Sequence, residues 1–436
     1  MKKNRLILGL LLVLTIVVIA YIIWPIDLPW SGMATPTATS ASGDPAVQTP
    51  TPETTLAPTP TPAPVTRLTL WVPPEMDPEG ETEAGRLLAN RLQLFSELHD
   101  GLEITVRVKA ASGSGGLLDA LTSTSAVAPD ALPDLIALER PDLETAALKG
   151  LIFSLDGLTS INDDPDWYGF TREMSLLQGS TFGLPFAVDA LSLVYRPVSF
   201  PEPPGSWNEI MGGNIKLAFP ADNNQALFTL ALYQAEGGNL QDNQRRPLLE
   251  LAPLTSVFQR LKTGVDSGVL PSWLGQYQTF SQVWSGYREG ESNLAVIWLS
   301  DYLREIPADS TIAPLPPMAS GPFSLGTGLS WAVATPDETR RNLAVDLAEF
   351  LVDPIFLSEW TAAAGYIPSR PSSLEGWSDS DLQKTVNQIA ENTHLLPSND
   401  LISSLAPILR ENTLQILQGT VEPGQAAQAA VDSLEE

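Results

Sequence analysis

Hydrophobic and polar positions change rhythm along this chain, and each change marks an element. An uncharged apolar run, Leu6 to Trp24, comes first; from Ser31 to Thr66 the chain is then dominated by Thr, Pro, Ala and Ser. Alternation begins in Arg67-Leu-Thr-Leu-Trp-Val72 and stops at Pro73 and Pro74, which predicts a half-buried strand. Ala84, Leu87, Leu88, Leu92, Phe95 and Leu98 recur at helical spacing, Gly101 ends that helix, and Leu102 to Val108 alternates again. The three segments predict a β-α-β unit. A Gly/Ser turn, Ser112 to Gly116, leads to a helix near Leu117 to Thr122 and a short apolar strand in Leu132 to Leu138. The turn lacks the Lys-Ser/Thr ending of a phosphate loop and reads as a connection. Strands alternating with helices predict a doubly wound α/β lobe, whose ligands sit beyond the carboxyl ends of the strands. That singles out the residues after Val72 and after Leu138.

A different pattern occupies Gly183 to Arg196. Ala190 to Tyr195 alternates and is rich in β-formers, while Gly183 and Pro185 punctuate its entrance. Asp189 is the one carboxylate in this apolar run. It is either satisfied by neighbouring backbone donors or aimed into a polar cleft, because an ionised carboxylate buried alone costs several kcal/mol.

Length and charge narrow the reading. At 436 residues the chain exceeds the size of one core, so two lobes are expected. Net charge is −27, and the three basic residues of the first 66 (Lys2, Lys3, Arg5) balance three acidic ones (Asp27, Asp44, Glu53), so the excess falls on the folded part. Such a surface repels nucleic acid and anionic lipid. With no cysteine there is no disulfide, Cys-ligated zinc or lipid-modified cysteine, and the two histidines, His99 and His394, lie far apart. Neither a Gly-x-Ser-x-Gly elbow nor a His-Glu-x-x-His motif is present, so no enzyme activity, metal or cofactor is expected.

The N-terminal run is long enough to cross a bilayer, and Lys2, Lys3 and Arg5 place its start in the cytoplasm. With no Ala-x-Ala pattern after Trp24, a transmembrane signal anchor over 6–24 is expected rather than a cleaved signal, after a cytoplasmic stretch 1–5. Residues 25–66 then read as a disordered Thr/Pro-rich stalk, which at ~3.1 Å per residue reaches on the order of 100 Å.

An ordered set of further motifs resembles the extracellular solute-binding proteins, family 1, of ABC importers, the maltose-binding-protein-like group. The motifs are Pro133-Asp-Leu-Ile-Ala; the helix Asp142 to Lys149 with Gly150; Leu151-Ile-Phe-Ser-Leu-Asp156; and Gly183 to Arg196. They continue with Pro203-Pro-Gly-Ser-Trp-Asn-Glu-Ile210, Phe228 to Gly238, Leu294-Ala-Val-Ile-Trp298, Ile312-Ala-Pro-Leu-Pro316, Gly326-Thr-Gly-Leu-Ser-Trp-Ala-Val333 and Gly365-Tyr-Ile-Pro-Ser-Arg370. Each is weak alone; their order is specific and spans Leu68 to the C-terminus. In Ser206-x-x-Glu209 a capping box is expected.

The resemblance implies a type II periplasmic-binding-protein-like clamshell, with lobe 1 in 67–188 and 316–370 and lobe 2 in 189–315 and 371–436. It implies hinges at Ala187 to Ser192 and Thr311 to Pro316, and a monomeric receptor at the cell membrane, its C-terminal domain extracytoplasmic, that closes on a small polar solute, foremost a mono- or oligosaccharide, and delivers it to permease subunits. Sugars are held by aromatic faces and by carboxylates or amides. The candidates are Asp189, which matches the family's acidic position; Tyr302, which matches a stacking tryptophan; Asp301 beside it; Trp298, Trp71 and Trp331; Gln225 and Asn224 at the expected start of a helix; Glu139, Arg140 and Asp142 after the third strand; and Glu75 and Asp77 after the first, a solvated charge cluster being the alternative for these last five. Core packing is the alternative for each aromatic, and helix capping for the Asn223 to Gln225 group. Leu138, Leu227, Ala406 and Pro407 stand where the maltose-binding pattern has aromatics, which implies a ligand smaller than a long maltodextrin or one that is not a sugar. A sensor or adhesion module, a polyamine-type cation binder and an extracytoplasmic glycoside hydrolase are the alternatives.

Overall fold

Asp134, the acid of the Pro-Asp pair, shows how the first lobe is tied together. Fully buried, it accepts the Thr69 N–H at 2.7 Å and lies 3.2 Å from the Arg340 guanidinium, joining the first strand, the third and a later helix. The computed structural model describes residues 66–213 and 215–434, so the expected anchor and stalk lie outside the described residues. Among the described residues no helix is long and apolar enough to cross a membrane.

The strands are β1 (Thr66–Val72), β2 (Leu102–Val108), β3 (Leu135–Glu139), β4 (Leu176–Leu177), β5 (Ser180–Thr181), β6 (Leu184–Tyr195), β7 (Leu217–Ala218), β8 (Leu294–Trp298), β9 (Thr311–Ala313), β10 (Ser324–Val333), β11 (Ile367–Pro368) and β12 (Thr393–Leu395). All but the β4–β5 hairpin join one 10-stranded sheet, in the order β2-β1-β3-β10-β6-β8-β7, with β9 and β11 on β6 and β12 on β10. Pairing is parallel in β2-β1-β3 and antiparallel where β10 enters.

In lobe 1 the side chains of β3 alternate between two cores: Leu135 and Ala137 face one, Ile136 and Leu138 the other. The first core lies under the helices Glu83–Leu98, Glu338–Leu351 and Pro354–Ala364; the second lies under Leu117–Val127 and Arg140–Leu148. A sheet covered on both faces is the doubly wound lobe that the alternation of elements predicts. Lobe 2 has its own core, built from the distal half of β6, β8, β9 and the helices Leu227–Ala235, Leu251–Asp266, Phe280–Glu289 and Asn399–Leu417.

Strand β6 belongs to both lobes. Its first half, through Ala190, pairs with β10 and β11; from Leu191 onward it pairs with β8 and β9. It is buried along its entire length. Pro185 lies within the strand rather than ahead of it, next to the register shift at Leu329/Ser330 of β10, where a missing donor is tolerated. Gly326 and Gly328 let β10 approach: a Cβ on the first would sit 2.8 Å from the Asp189 carbonyl oxygen, and on the second 2.4 Å from that of Ala187.

Three local expectations are corrected. Glu209 does not close a capping box on Ser206: the Ser206 hydroxyl accepts the Glu209 N–H, but the Glu209 carboxylate accepts the N–H of Gly205, one residue earlier. The helix expected at Gln225 starts at Leu227, because Ala226 adopts a left-handed conformation at φ 48°. Thr311 to Ala313 do not cross between lobes; they form β9 against the lobe 2 half of β6, so the return path runs between Ala313 and Ser324.

Candidate functional site at the lobe crossing

Asp189 sits on β6 where its neighbours change from lobe 1 to lobe 2, opposite Thr327 of β10. Its Oδ1 accepts the N–H groups of Ala190 at 2.9 Å and Ser300 at 3.0 Å. Ser300 lies in the first turn of the helix Leu299–Leu303, where backbone donors have no partner within the helix. Asp189 thus supplies from another strand what a capping residue supplies locally. Only 8% of the residue is exposed, and burial pushes its carboxyl up to about 7; the Ser300 hydrogen bonds oppose that rise and the charge of Asp301 adds to it.

Other carboxylates gather around this point. Glu139 ends β3, and burial raises its carboxyl, with Asp142 and then Glu75 adding repulsion. Asp142 and Asp301 are also raised by burial. The Oδ2 of Asp301 is enclosed with no hydrogen-bond partner among the described residues. Tyr366 links the group: burial holds its hydroxyl well above the ordinary phenol range, and the charges of Asp189, Glu75 and Glu139 add to that. The Arg304 guanidinium covers the Tyr366 ring at 4.9 Å from its centre.

Glu75 follows β1 and Glu139 and Asp142 follow β3, at the strand ends that the α/β rule designates. Asp301 and Arg304 come from the lobe 2 side, and Asp189 lies on the strand between. The lobes also touch where the Asn399 side-chain amide donates to the Pro141 carbonyl at 2.8 Å and the Asn399 N–H meets the Glu144 carboxylate at 3.3 Å. Glu144 in turn holds Arg140 in a pair of which both members are buried. Carboxylates in their ionised form are pure acceptors, so a group of this kind can take hydrogen bonds from O–H or N–H donors.

The sequence-selected residues divide into three groups. Asp189, Asp301 and Glu139 are brought together, along with Glu75 and Asp142. Trp71, Trp331 and Tyr302 are enclosed. Trp71 lies in the second core of lobe 1 under the Lys109 ammonium, 4.3 Å from its ring; Trp331 stacks on Phe186 with centres 4.5 Å apart. Tyr302 is 5% exposed in the core of lobe 2, with its hydroxyl 3.4 Å from the Ser310 carbonyl, so it is packed as a core side chain rather than presented as a stacking face. Trp298, half-buried at the end of β8, leans on Phe280 at 5.5 Å.

Gln225 and Asn224 belong to a turn of lobe 2. Asn223 organises it by accepting the Gln225 N–H at 3.2 Å and donating to the Gln278 carbonyl at 3.0 Å, and Asp222 anchors it to Arg410. Asn223 thus orders the turn ahead of the helix Leu227–Ala235, whose N-cap residue, Ala226, makes no side-chain capping bond. Of the hinge residues, Ala187 and Ser192 flank the switch of partners on β6, while Thr311 pairs within lobe 2. Tyr366 and Arg304 were not singled out by sequence reasoning. The signal for Tyr366 was its place in Gly365-Tyr-Ile-Pro-Ser-Arg370, whose buried Arg370 pairs with the partly exposed Asp164 and Asp166.

Comparison with known proteins bears on this geometry. No curated protein sequence is significantly similar to the chain. Among solved structures, the cyclic alpha-maltosyl-1,6-maltose binding protein of Arthrobacter globiformis aligns over 85% of this chain and 98% of its own, with TM-score 0.70 and 16% identity. The sugar-binding protein MalE of Xanthomonas citri aligns over 85% and 97%, with TM-score 0.69 and 18% identity. The GacH receptor of Streptomyces glaucescens, solved unliganded and with acarbose, aligns over 86% and 100%, with TM-score 0.62 and 17% identity. At such identities the likeness shows the fold. Membership rests on sequence, because the family model described as bacterial extracellular solute-binding protein matches residues 91–390. A chain so matched, with two α/β lobes joined through a shared strand and a polar site at the joint, belongs to the bacterial extracellular solute-binding proteins.

Proposed function

We propose that this chain is the membrane-tethered receptor of an ABC importer and that it captures a small sugar by closing its lobes, 67–188 with 316–370 and 189–315 with 371–436. The observation that carries the proposal is the position of Asp189: a buried carboxylate on the shared strand, bonded to Ser300 of lobe 2 and surrounded by acceptors from both sides. Sugar hydroxyls would donate to Asp301, Glu139 and Asp189, and the Tyr366 ring would offer an apolar face. The fold relatives that bind maltosyl sugars or acarbose support a sugar, while the enclosure of Trp71, Trp331 and Tyr302 supports a short one.

Closure would be stabilised by contacts available only when both lobes meet the guest, and the closed form would dock on permease subunits. The anchor and stalk expected over 6–66 would raise the local concentration of receptor at the permease.

The excess of acid favours a second reading. Glu75, Glu139, Asp142, Glu144, Asp189 and Asp301 outnumber the cations Arg140, Arg304 and Lys109, a balance that would suit a polyamine-type cation. Melting of the full chain against short sugars and linear polyamines separates the two, since a ligand of the native state raises the melting temperature by mass action. A rise with mono- or disaccharides supports the first reading, a rise with spermidine alone the second. Indifference to both sets overturns the assignment of this cleft.

A further inference from the structure

A cavity of 570 Å³ opens on lobe 2 between the turn at Ser272–Gln276, the helix Phe280–Glu289 and Lys216. Its volume falls in the range of small-molecule sites. It lies at the far end of the sheet from the lobe crossing. Lys216 precedes β7 and Glu291 precedes β8, which run parallel with Leu217 beside Leu294, whereas Asp189 meets the chain after the other end of β8. Five residues of strand separate the two, about 16 Å at ~3.3 Å per residue.

The walls are held in place before any guest arrives. Trp273 meets Tyr277 edge to face with ring centres 5.5 Å apart, and the Tyr277 hydroxyl donates to the Glu291 carboxylate across Gly286. That crossing requires glycine: a Cβ at position 286 would lie 2.1 Å from the Tyr277 oxygen. Gln282 spends its carbonyl oxygen on the N–H groups of Gln278 and Thr279, at 2.7 and 3.1 Å, which leaves its amide N–H groups to face the cavity. Both aromatic rings are only half-buried although they border the core of lobe 2.

We infer that this cavity is a second sugar-binding site, in which the Trp273–Tyr277 corner receives the apolar face of a pyranose and Glu289, Glu291, Gln282 and Lys216 bond its hydroxyls. The mixture of groups selects the class. A simple cation meets the Lys216 ammonium and a simple anion meets two carboxylates, whereas hydroxyls use donors and acceptors together. Apolar contact with an aromatic wall plus convergent polar groups is the makeup of a sugar subsite. The inference does not depend on what the lobe crossing binds.

The test uses the full chain and saturation-transfer NMR with maltose, cellobiose and N-acetylglucosamine, in the parent, Asp189→Asn, Trp273→Ala and Glu289→Lys proteins. At least one of the sugars is expected to keep a signal in Asp189→Asn, where the lobe crossing is impaired. In the Asp189→Asn background, Trp273→Ala and Glu289→Lys are each expected to weaken that signal's affinity about tenfold or more, with the melting temperature unchanged by Glu289→Lys, an exposed residue. The assignment is overturned if no sugar signal survives in Asp189→Asn, or if the surviving signal ignores Glu289→Lys, including when Trp273→Ala abolishes it only by unfolding the chain.

Discussion

The carboxylate of Asp189 accepts the backbone N–H of Ser300 at 3.0 Å, a bond that joins the strand common to both lobes with the helix Leu299–Leu303. One side chain therefore ties the shared strand to lobe 2 and, under the proposed function, would also meet the guest. Removing its acceptor leaves the N–H groups of Ala190 and Ser300 buried and unpaired, each worth about 1–3 kcal/mol. Asp189→Leu is expected to lower the unfolding free energy by at least that of one such group, whereas Asp189→Asn, which keeps a carbonyl oxygen there, is expected to lower it far less. Urea unfolding of both variants checks this, and equal losses would show that the two bonds contribute nothing.

The same carboxyl sets a pH dependence. Its folded value of about 7 lies above that of an unfolded aspartate, so its contribution is fully present below about pH 4 and is lost as pH rises through 7. Burial raises Asp301, Glu139, Asp142 and Asp134 in the same sense. Carboxyls held low by hydrogen bonds, such as Asp156 and Asp309, act instead on the acid side of pH 4. The ligand-free protein is expected to be more stable at pH 5 than at pH 8, and Asp189→Asn to flatten that slope. Denaturant midpoints at the two pH values measure it; a parent protein more stable at pH 8 contradicts the assignment.

Tyr302 offers a sharp contrast. Its ring is packed in the core of lobe 2, and its hydroxyl makes one long contact at 3.4 Å. Tyr302→Ala is expected to cost about 3–5 kcal/mol of stability through the cavity it leaves. Tyr302→Phe is expected to leave both melting temperature and ligand affinity close to the parent values. A marked loss of affinity in Tyr302→Phe, seen by calorimetry, would return this residue to the binding surface.

What could be read from the pattern of residues follows from how each signal arises. Strand β2 was legible to the residue, since strict alternation from Leu102 to Val108 admits one register. Strand β6 was read too short, because Pro185 signals an end and only the bulge in β10 makes it tolerable inside the sheet. Asp189, Asp301 and Glu139 were legible as polar groups at strand ends or within apolar runs. Tyr366 and Arg304 were not, since their meeting joins residues of separate lobes. The aromatics were ambiguous in principle: composition cannot distinguish a stacking face from a core face, and Trp71, Trp331 and Tyr302 proved to be core.

The close approach of β10 to β6 gives the last test. A methyl group on Gly328 would lie 2.4 Å from the Ala187 carbonyl oxygen and 2.9 Å from the Val188 Cα, both backbone atoms that cannot rotate away. Gly326→Ala meets the Asp189 carbonyl oxygen at 2.8 Å and the Thr393 methyl at 2.4 Å, the latter a side chain whose rotation could relieve part of the clash. Overpacking of this kind typically costs about 1–3 kcal/mol. Gly328→Ala is therefore expected to destabilise more than Gly326→Ala, and both are expected to disturb ligand binding by shifting the strand that carries Asp189. Chemical unfolding ranks the two. If Gly328→Ala proves neutral, the strands have slack at the crossing, and the fixed placement of Asp189 on which the proposed function depends fails with it.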